Sequence, residues 1–188
     1  VQGISETTFK LKSKKGLNIP YSYYDDALQQ KLYLEFINKA KKVQFDGIGL
    51  SFIQNDKILK TIKSILTNKI LVSKIENLHG LNNASEISKN SDLIMIDRGD
   101  LLAEVGTGNL YNSICEIAKQ ATKYNRPLIM ATENLESMQK RLQPSKSEII
   151  ALEHSIKLGT DIIMLSDETA TSPLFMNTIE WLNNFLQE

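Results

Sequence analysis

The sequence predicts an α/β fold of parallel strand–helix units, the construction of a β/α barrel. Three observations carry that expectation. Five short apolar runs, Gly47 to Leu50, Lys69 to Val72, Leu93 to Ile96, Pro127 to Met130 and Asp161 to Leu165, are each followed by an amphipathic segment. Apolar runs of this length read as strands buried on both faces of a parallel sheet. Each run also ends in polar residues: Ser51; Lys74 and Glu76; Asp97, Arg98 and Asp100; Thr132 and Glu133; Ser166, Asp167 and Glu168. In a β/α barrel the chemistry gathers where strands end. A doubly wound open sheet would alternate in the same way, but it usually carries a glycine-rich phosphate turn after its first strand, and none is present. A barrel closes with eight strands, so five units make an incomplete barrel.

The elements follow in order. Residues 1–20 read as extended or irregular, punctuated by Gly3, Gly16 and Pro20. Asp25 or Asp26 opens a helix to about Lys42 with Leu28, Leu32, Phe36, Ile37 and Ala40 on one stripe. A second helix starts near Asn55 and carries Ile58, Leu59, Ile62, Ile65 and Leu66; a short one covers Ala84 to Lys89. The next runs from about Asn109 to Tyr124 with Leu110, Ile114, Ile117, Ala118 and Ala121 inward. Ser145-Lys146-Ser147-Glu148 is a capping box, because the serine and the glutamate can satisfy each other's orphan amides, and Gly159 ends that helix. Ser172-Pro173 pairs a cap residue with proline at the first helical position and starts a terminal helix through Trp181 and Phe185.

Composition narrows the function. In 188 residues, 22 Lys+Arg balance 22 Asp+Glu. That neutrality gives no electrostatic footprint for nucleic acid or an anionic membrane, so neither is an expected partner. No apolar run approaches the roughly 20 residues of a membrane span. The lone Cys115, at helical spacing with Ile114 and Ile117, is read as packing, and a single thiol fits a cytoplasmic protein.

Lys74 and Glu76 stand two apart at a strand end, so their side chains leave on one face. Asp100 follows the next strand. Two carboxylates on neighbouring strand ends make a hard oxygen site suited to Mg²⁺ or Mn²⁺, completed by substrate and water. A lysine beside such a cation can stabilise a phosphoryl group in transfer or a developing enolate. Gly99 permits close backbone approach, and amides in the turn after it could hold a carboxylate. Thr132 either presents its hydroxyl to the same space or caps the turn that follows it.

From about Lys15 to Pro173 the sequence resembles pyruvate kinase, with several blocks in register. Lys15-Gly16-Leu17-Asn18-Ile19-Pro20 is similar to the segment that re-enters the barrel after the lid domain, and Asp46-Gly47-Ile48-Gly49-Leu50-Ser51-Phe52 to the fourth strand. Ser73-Lys74-Ile75-Glu76-Asn77, Arg98-Gly99-Asp100-Leu101, Leu135-Glu136-Ser137-Met138, Pro144-Ser145-Lys146-Ser147-Glu148 and Met164-Leu165-Ser166-Asp167-Glu168-Thr169-Ala170 resemble further family motifs. The resemblance implies strands 4 to 8 of a TIM barrel in residues 15–188, with residues 1–14 as the tail of a lid domain or a linker. It implies that Lys74 stabilises the phosphoryl group, that Glu76 and Asp100 hold Mg²⁺ or Mn²⁺, and that amides of Gly99 and Asp100 bind the substrate carboxylate. Thr132 would orient or protonate the enolate, K⁺ would assist, and phosphoenolpyruvate and ADP would give pyruvate and ATP.

Some positions depart from that pattern. Asp97 stands where the family has alanine, Glu133 replaces glutamine, Asn134 methionine, Leu102 and Asp167 glycine, and Gln54 and Lys146 arginine. Acids added near an anionic substrate should repel it unless an extra cation or a different substrate compensates. The family's first three strands, its potassium-holding residues and its lid would precede Val1. Five units would leave an open edge, so a longer chain is expected to complete the barrel in preference to a partner subunit; the partner expectation is a homo-oligomer or completion by missing chain segments. Two other functions fit the same residues: a divalent-metal lyase or aldolase acting on a pyruvate enolate without nucleotide, and a non-catalytic relative that binds a partner.

Overall fold

The computed structural model describes residues 25–187; the expectations for residues 1–20, including the boundary at residue 14 and the Lys15 to Pro20 block, lie outside them. Helix α1 (Asp26–Ala40) is capped by Asp25, whose carboxylate accepts from the Leu28 amide at 3.0 Å. Its expected apolar stripe is corrected. Leu28, Leu32 and Phe36 are 53%, 44% and 63% exposed, whereas Ile37 is 1% exposed. The inward face is set by Tyr33 and Ile37, four apart, with the Tyr33 hydroxyl donating to the Ser51 carbonyl.

Five strands follow, β1 (Gly47–Leu50), β2 (Ile70–Ile75), β3 (Leu93–Asp97), β4 (Leu128–Ala131) and β5 (Ile162–Ile163), and every neighbouring pair is parallel in the sequential order β1-β2-β3-β4-β5. A doubly wound sheet reverses its order at a switch point, and this one does not. The sheet is an open arc of a β/α barrel, as the sequence predicts. The connections carry α2 (Lys57–Ile65), α3 (Leu78–Asn82), α4 (Ala84–Asn90), α5 (Arg98–Val105), α6 (Leu110–Lys123), a 3₁₀ turn (Glu136–Gln139), α7 (Lys146–Lys157), α8 (Asp167–Ala170) and α9 (Phe175–Phe185).

The pleat sorts the strands into two faces. Leu71, Ile75, Ile94, Ile96, Leu128 and Met130 lie on the face covered by helices and share a core with Ile58, Leu59 and Ile62 of α2, Ile87 of α4 and Ile117 and Ala121 of α6. Each large aliphatic side chain buried there is worth roughly 1.5–3 kcal/mol. The opposite face carries Val72, Lys74, Met95, Asp97, Ile129 and Ala131, because Lys74 pairs with Met95 and Asp97 with Ala131. This is the face that barrel closure turns inward, and it holds the reactive groups.

Asn77 caps α3 by accepting from the Gly80 amide at 2.7 Å. A Cβ at Gly80 would lie 2.4 Å from the Ile53 carbonyl oxygen, so α3 rests directly on the backbone that follows β1. The capping box at α7 is formed: Ser145 Oγ accepts from the Glu148 amide, and Glu148 Oε2 accepts from the Ser145 amide at 2.7 Å. Gly159 ends α7 with φ +83°. Several boundaries differ from expectation. β2 continues to Ile75, α3, α5 and α8 were not foreseen, and α9 begins at Phe175 after a turn in which its amide donates to the Ser172 carbonyl. Met164, inside the fifth apolar run, is 41% exposed beyond the two-residue β5. Cys115 is half-buried on α6. No helix among the described residues is long and apolar enough to cross a membrane.

Candidate functional site

Lys74 leaves the inward face near the end of β2, and Glu76 follows on the same side just past the strand. The Lys74 ammonium stands 2.7 Å from Glu76 Oε1, 3.7 Å from Asp97 Oδ2 and 3.5 Å from Ser51 Oγ. The Glu76 side chain is fully buried. Its Oε2 accepts from the Phe52 amide at 2.5 Å, a contact made because Phe52 adopts φ +55° and turns its N–H from the end of β1 toward β2. Oε1, also buried, faces the Lys74 ammonium at 2.7 Å and has no other hydrogen-bond donor among the described residues.

The electrostatics follow from that placement. Burial raises the Glu76 carboxyl above its ordinary range, outweighing the opposing pull of Lys74 and of the Phe52 amide. Burial would lower the Lys74 ammonium, but Glu76 beside it, with Asp97 and Asp100 behind, holds it above the usual lysine range. Tyr33 is raised as well, first by burial and then by the charges of Glu76 and Asp26.

Asp100 lies in the first turn of α5 and not at the end of β3 as expected, since the chain enters a helix at Arg98. Carboxylate oxygens of Glu76, Asp97 and Asp100 nevertheless all lie within 4.8 Å of one another. A cluster of hard oxygen donors with one buried, hydrogen-bond-poor oxygen fits a divalent cation. Asp97 was read from sequence as a repulsive substitution, and its membership in this cluster was missed. The strand register supplies what the sequence alone does not, because Asp97 falls on the Lys74 face of the neighbouring strand.

Thr132 closes the site on the β4 side. Its hydroxyl accepts from the amides of Arg98 at 3.1 Å and Gly99 at 3.3 Å and donates to the Ala131 carbonyl at 2.7 Å. It therefore caps α5, the helix after β3, and not its own turn. The Gly99 amide, expected to face a carboxylate ligand, is engaged by this hydroxyl, so a ligand at that amide must share or displace it. Thr132, Glu133 and Leu135 have φ of +61°, +52° and +58°. A β-branched residue pays for that region, and it persists where surroundings over-determine it. Here the surroundings are Arg98, whose guanidinium donates to the carbonyls of Ala131 and Thr132 and to Asn134 Oδ1, the last at 2.7 Å. Asn134 in turn donates to the Met130 and Met164 carbonyls at 3.0 and 2.8 Å. Burial lowers the Arg98 guanidinium from its ordinary range against the nearby acids. Glu133 and Asp167 are exposed and do not join the carboxylate cluster.

Comparison with known proteins places this arrangement in context. The model of the pyruvate kinase barrel domain matches residues 2–179. A pyruvate kinase of Methanocaldococcus jannaschii is 32% identical over 184 residues, covering 96% of this chain and 41% of the relative. One of Borreliella burgdorferi is 35% identical over 167 residues, covering 86% of this chain and 35% of the relative. The crystal structure of a pyruvate kinase from Cryptosporidium parvum superposes with TM-score 0.73 at 29% identity over 80% of this chain and 33% of that one. The chain spans about two fifths of the length of these relatives or less.

Proposed function

The chain belongs to the pyruvate kinase family, and from that premise we propose that it forms part of a phosphotransferase moving a phosphoryl group from phosphoenolpyruvate to ADP, giving pyruvate and ATP. The observation that carries the reading is the Lys74 ammonium set 2.7 Å from buried Glu76, within a carboxylate cluster on the inward face of the sheet.

In this reading Glu76 and Asp100 hold Mg²⁺ or Mn²⁺, which when bound would neutralise phosphoryl charge. Lys74, kept protonated by its acid neighbours, supplies a fixed positive charge to the phosphoryl group in transfer and to the enolate left behind. The Gly99 and Asp100 amides at the start of α5 receive the substrate carboxylate, with the Thr132 hydroxyl giving up its hold on the Gly99 amide. Turned from the Ala131 carbonyl to which it now donates, the Thr132 hydroxyl would orient the enolate and relay a proton to its carbon. K⁺ dependence, cytoplasmic location, assembly as a homo-oligomer and completion of the barrel by further chain belong to the same proposal, as does a barrel unit over residues 15–188 preceded by a linker or lid tail in 1–14.

The test is pyruvate release from phosphoenolpyruvate with ADP, Mg²⁺ and K⁺, using the protein as its source makes it. Lys74→Ala should lower turnover by roughly 10²–10³-fold, the range for removing one preorganised electrostatic contact. Turnover without ADP, or turnover indifferent to Lys74, would reject the reading.

A further inference from the structure

We propose that Asp97 supplies a third protein carboxylate to the divalent-cation site; this rests on the reading of Glu76 and Asp100 as cation ligands. Asp97 stands at the last position of β3 on the same sheet face as Lys74, and its carboxylate lies within 4.8 Å of those of Glu76 and Asp100. Its backbone sits at the N-cap of α5, with φ −94° and ψ 104°, where an aspartate usually turns its side chain onto the first amides of the helix. Here it makes no such bond, and the Thr132 hydroxyl accepts from the amides of Arg98 and Gly99 instead. The Asp97 carboxylate instead leans across Gly99, where its Oδ1 would lie 3.6 Å from a Cβ at that position, toward the other two acids.

Lys74 is shared unequally between two of the acids. The ammonium is committed to Glu76 at 2.7 Å and stands 3.7 Å from Asp97. Carboxylate oxygens of three acids gathered within 4.8 Å of one another in a half-buried cluster form a donor set that a divalent cation fits. Mg²⁺ usually takes one or two protein carboxylates and leaves its remaining positions to water and substrate. A third carboxylate makes the protein hold more of the cation's shell, so the free protein binds it tightly before substrate arrives. The acid that a two-carboxylate site would find repulsive to an anionic substrate becomes part of the device that masks the charge.

The test is calorimetric titration with Mn²⁺ alone, without substrate, on the protein as its source makes it. Asp97→Ala and the near-isosteric Asp97→Asn should each weaken Mn²⁺ binding by roughly tenfold or more, since ligand charge count tunes such sites. The loss should persist when Lys74→Met is the starting protein. Unchanged or tighter binding overturns the proposal, as does a loss that vanishes in Lys74→Met, which would mean that Asp97 acts only through the lysine. Glu76→Gln and Asp100→Asn in the same titration keep the two readings apart. Loss in those two with wild-type binding in Asp97→Ala rejects the role of Asp97 alone, and no loss in any of them rejects the cation site with it.

Discussion

At the end of β4 the polar groups close on one another. The Arg98 guanidinium reaches the carbonyls of Ala131 and Thr132 and the side chain of Asn134, Thr132 caps α5, and Asn134 ties β4 to the segment after β5. At the neighbouring ends of β2 and β3 acids converge: the Lys74 ammonium stands 2.7 Å from buried Glu76 and 3.7 Å from Asp97, and carboxylate oxygens of Glu76, Asp97 and Asp100 lie within 4.8 Å of one another. The two regions share a sheet face and a helix start, yet one is knitted by its own hydrogen bonds and the other gathers acids, the arrangement that the proposed cation would use. A self-satisfied network stabilises, whereas like charges gathered in a half-buried cluster oppose one another and favour a ligand of opposite sign.

The contrast predicts opposite consequences of mutation, beginning with the largest. Glu76→Gln should abolish Mn²⁺ binding while changing thermal stability of the cation-free protein less than Arg98→Ala does, because burial already disfavours the ionised carboxyl. Titration and melting of the same samples check both halves, and a Glu76→Gln protein that keeps its cation affinity would break the comparison. Arg98→Ala should cost about 2–4 kcal/mol in denaturant unfolding, since it strands buried acceptors at the β4 end. Arg98→Lys should recover little, because an ammonium cannot fork to several acceptors. A stability change below about 1 kcal/mol in Arg98→Ala would show that the β4 network is ornament.

Gly80→Ala sharpens the comparison by disturbing the support of the open region. The added methyl would meet the Ile53 carbonyl oxygen at 2.4 Å, and that strain is expected to cost about 1–3 kcal/mol. It should also weaken Mn²⁺ binding, through displacement of the segment that carries the Phe52 amide. Wild-type stability in Gly80→Ala would mean that α3 does not lean on that backbone.

The smallest effect is a pH dependence remote from the carboxylate cluster. Glu148 is raised by burial, but its bonds from Ser137 and Ser145 overcome this and hold its carboxyl below the ordinary range. A depressed folded-state value stabilises above the unfolded pKa, about 4.3. The contribution is lost as pH falls through the lower folded value. Wild type should therefore exceed Glu148→Gln in stability at neutral pH, with the gap closing below about pH 4. A gap that persists unchanged into acid would assign the effect to shape and not to charge.

Strand positions were legible because buried parallel strands are written as apolar runs, and the capping box of α7 because its chemistry is local. The inward face of α1 was not. Leu28, Leu32 and Phe36 form as good a stripe as Tyr33 and Ile37, and the choice is made by Ser51, which the fold brings to Tyr33. Helix α5 was hidden because Gly99 and Asp100 favour a turn, and the hydroxyl that caps its first amides comes from Thr132, 34 positions after Arg98. Lys74, Glu76 and Asp100 could be named from their place after apolar runs. The membership of Asp97 required the register of β2 on β3, and the role of Arg98 as a brace required the left-handed turn of β4.

The most direct test of this division is anomalous diffraction from crystals grown with Mn²⁺. A single strong peak is expected among Glu76, Asp97 and Asp100, with the Arg98–Thr132–Asn134 network unchanged. A peak elsewhere with that cluster empty, or a peak that requires the β4 network to open, would contradict it.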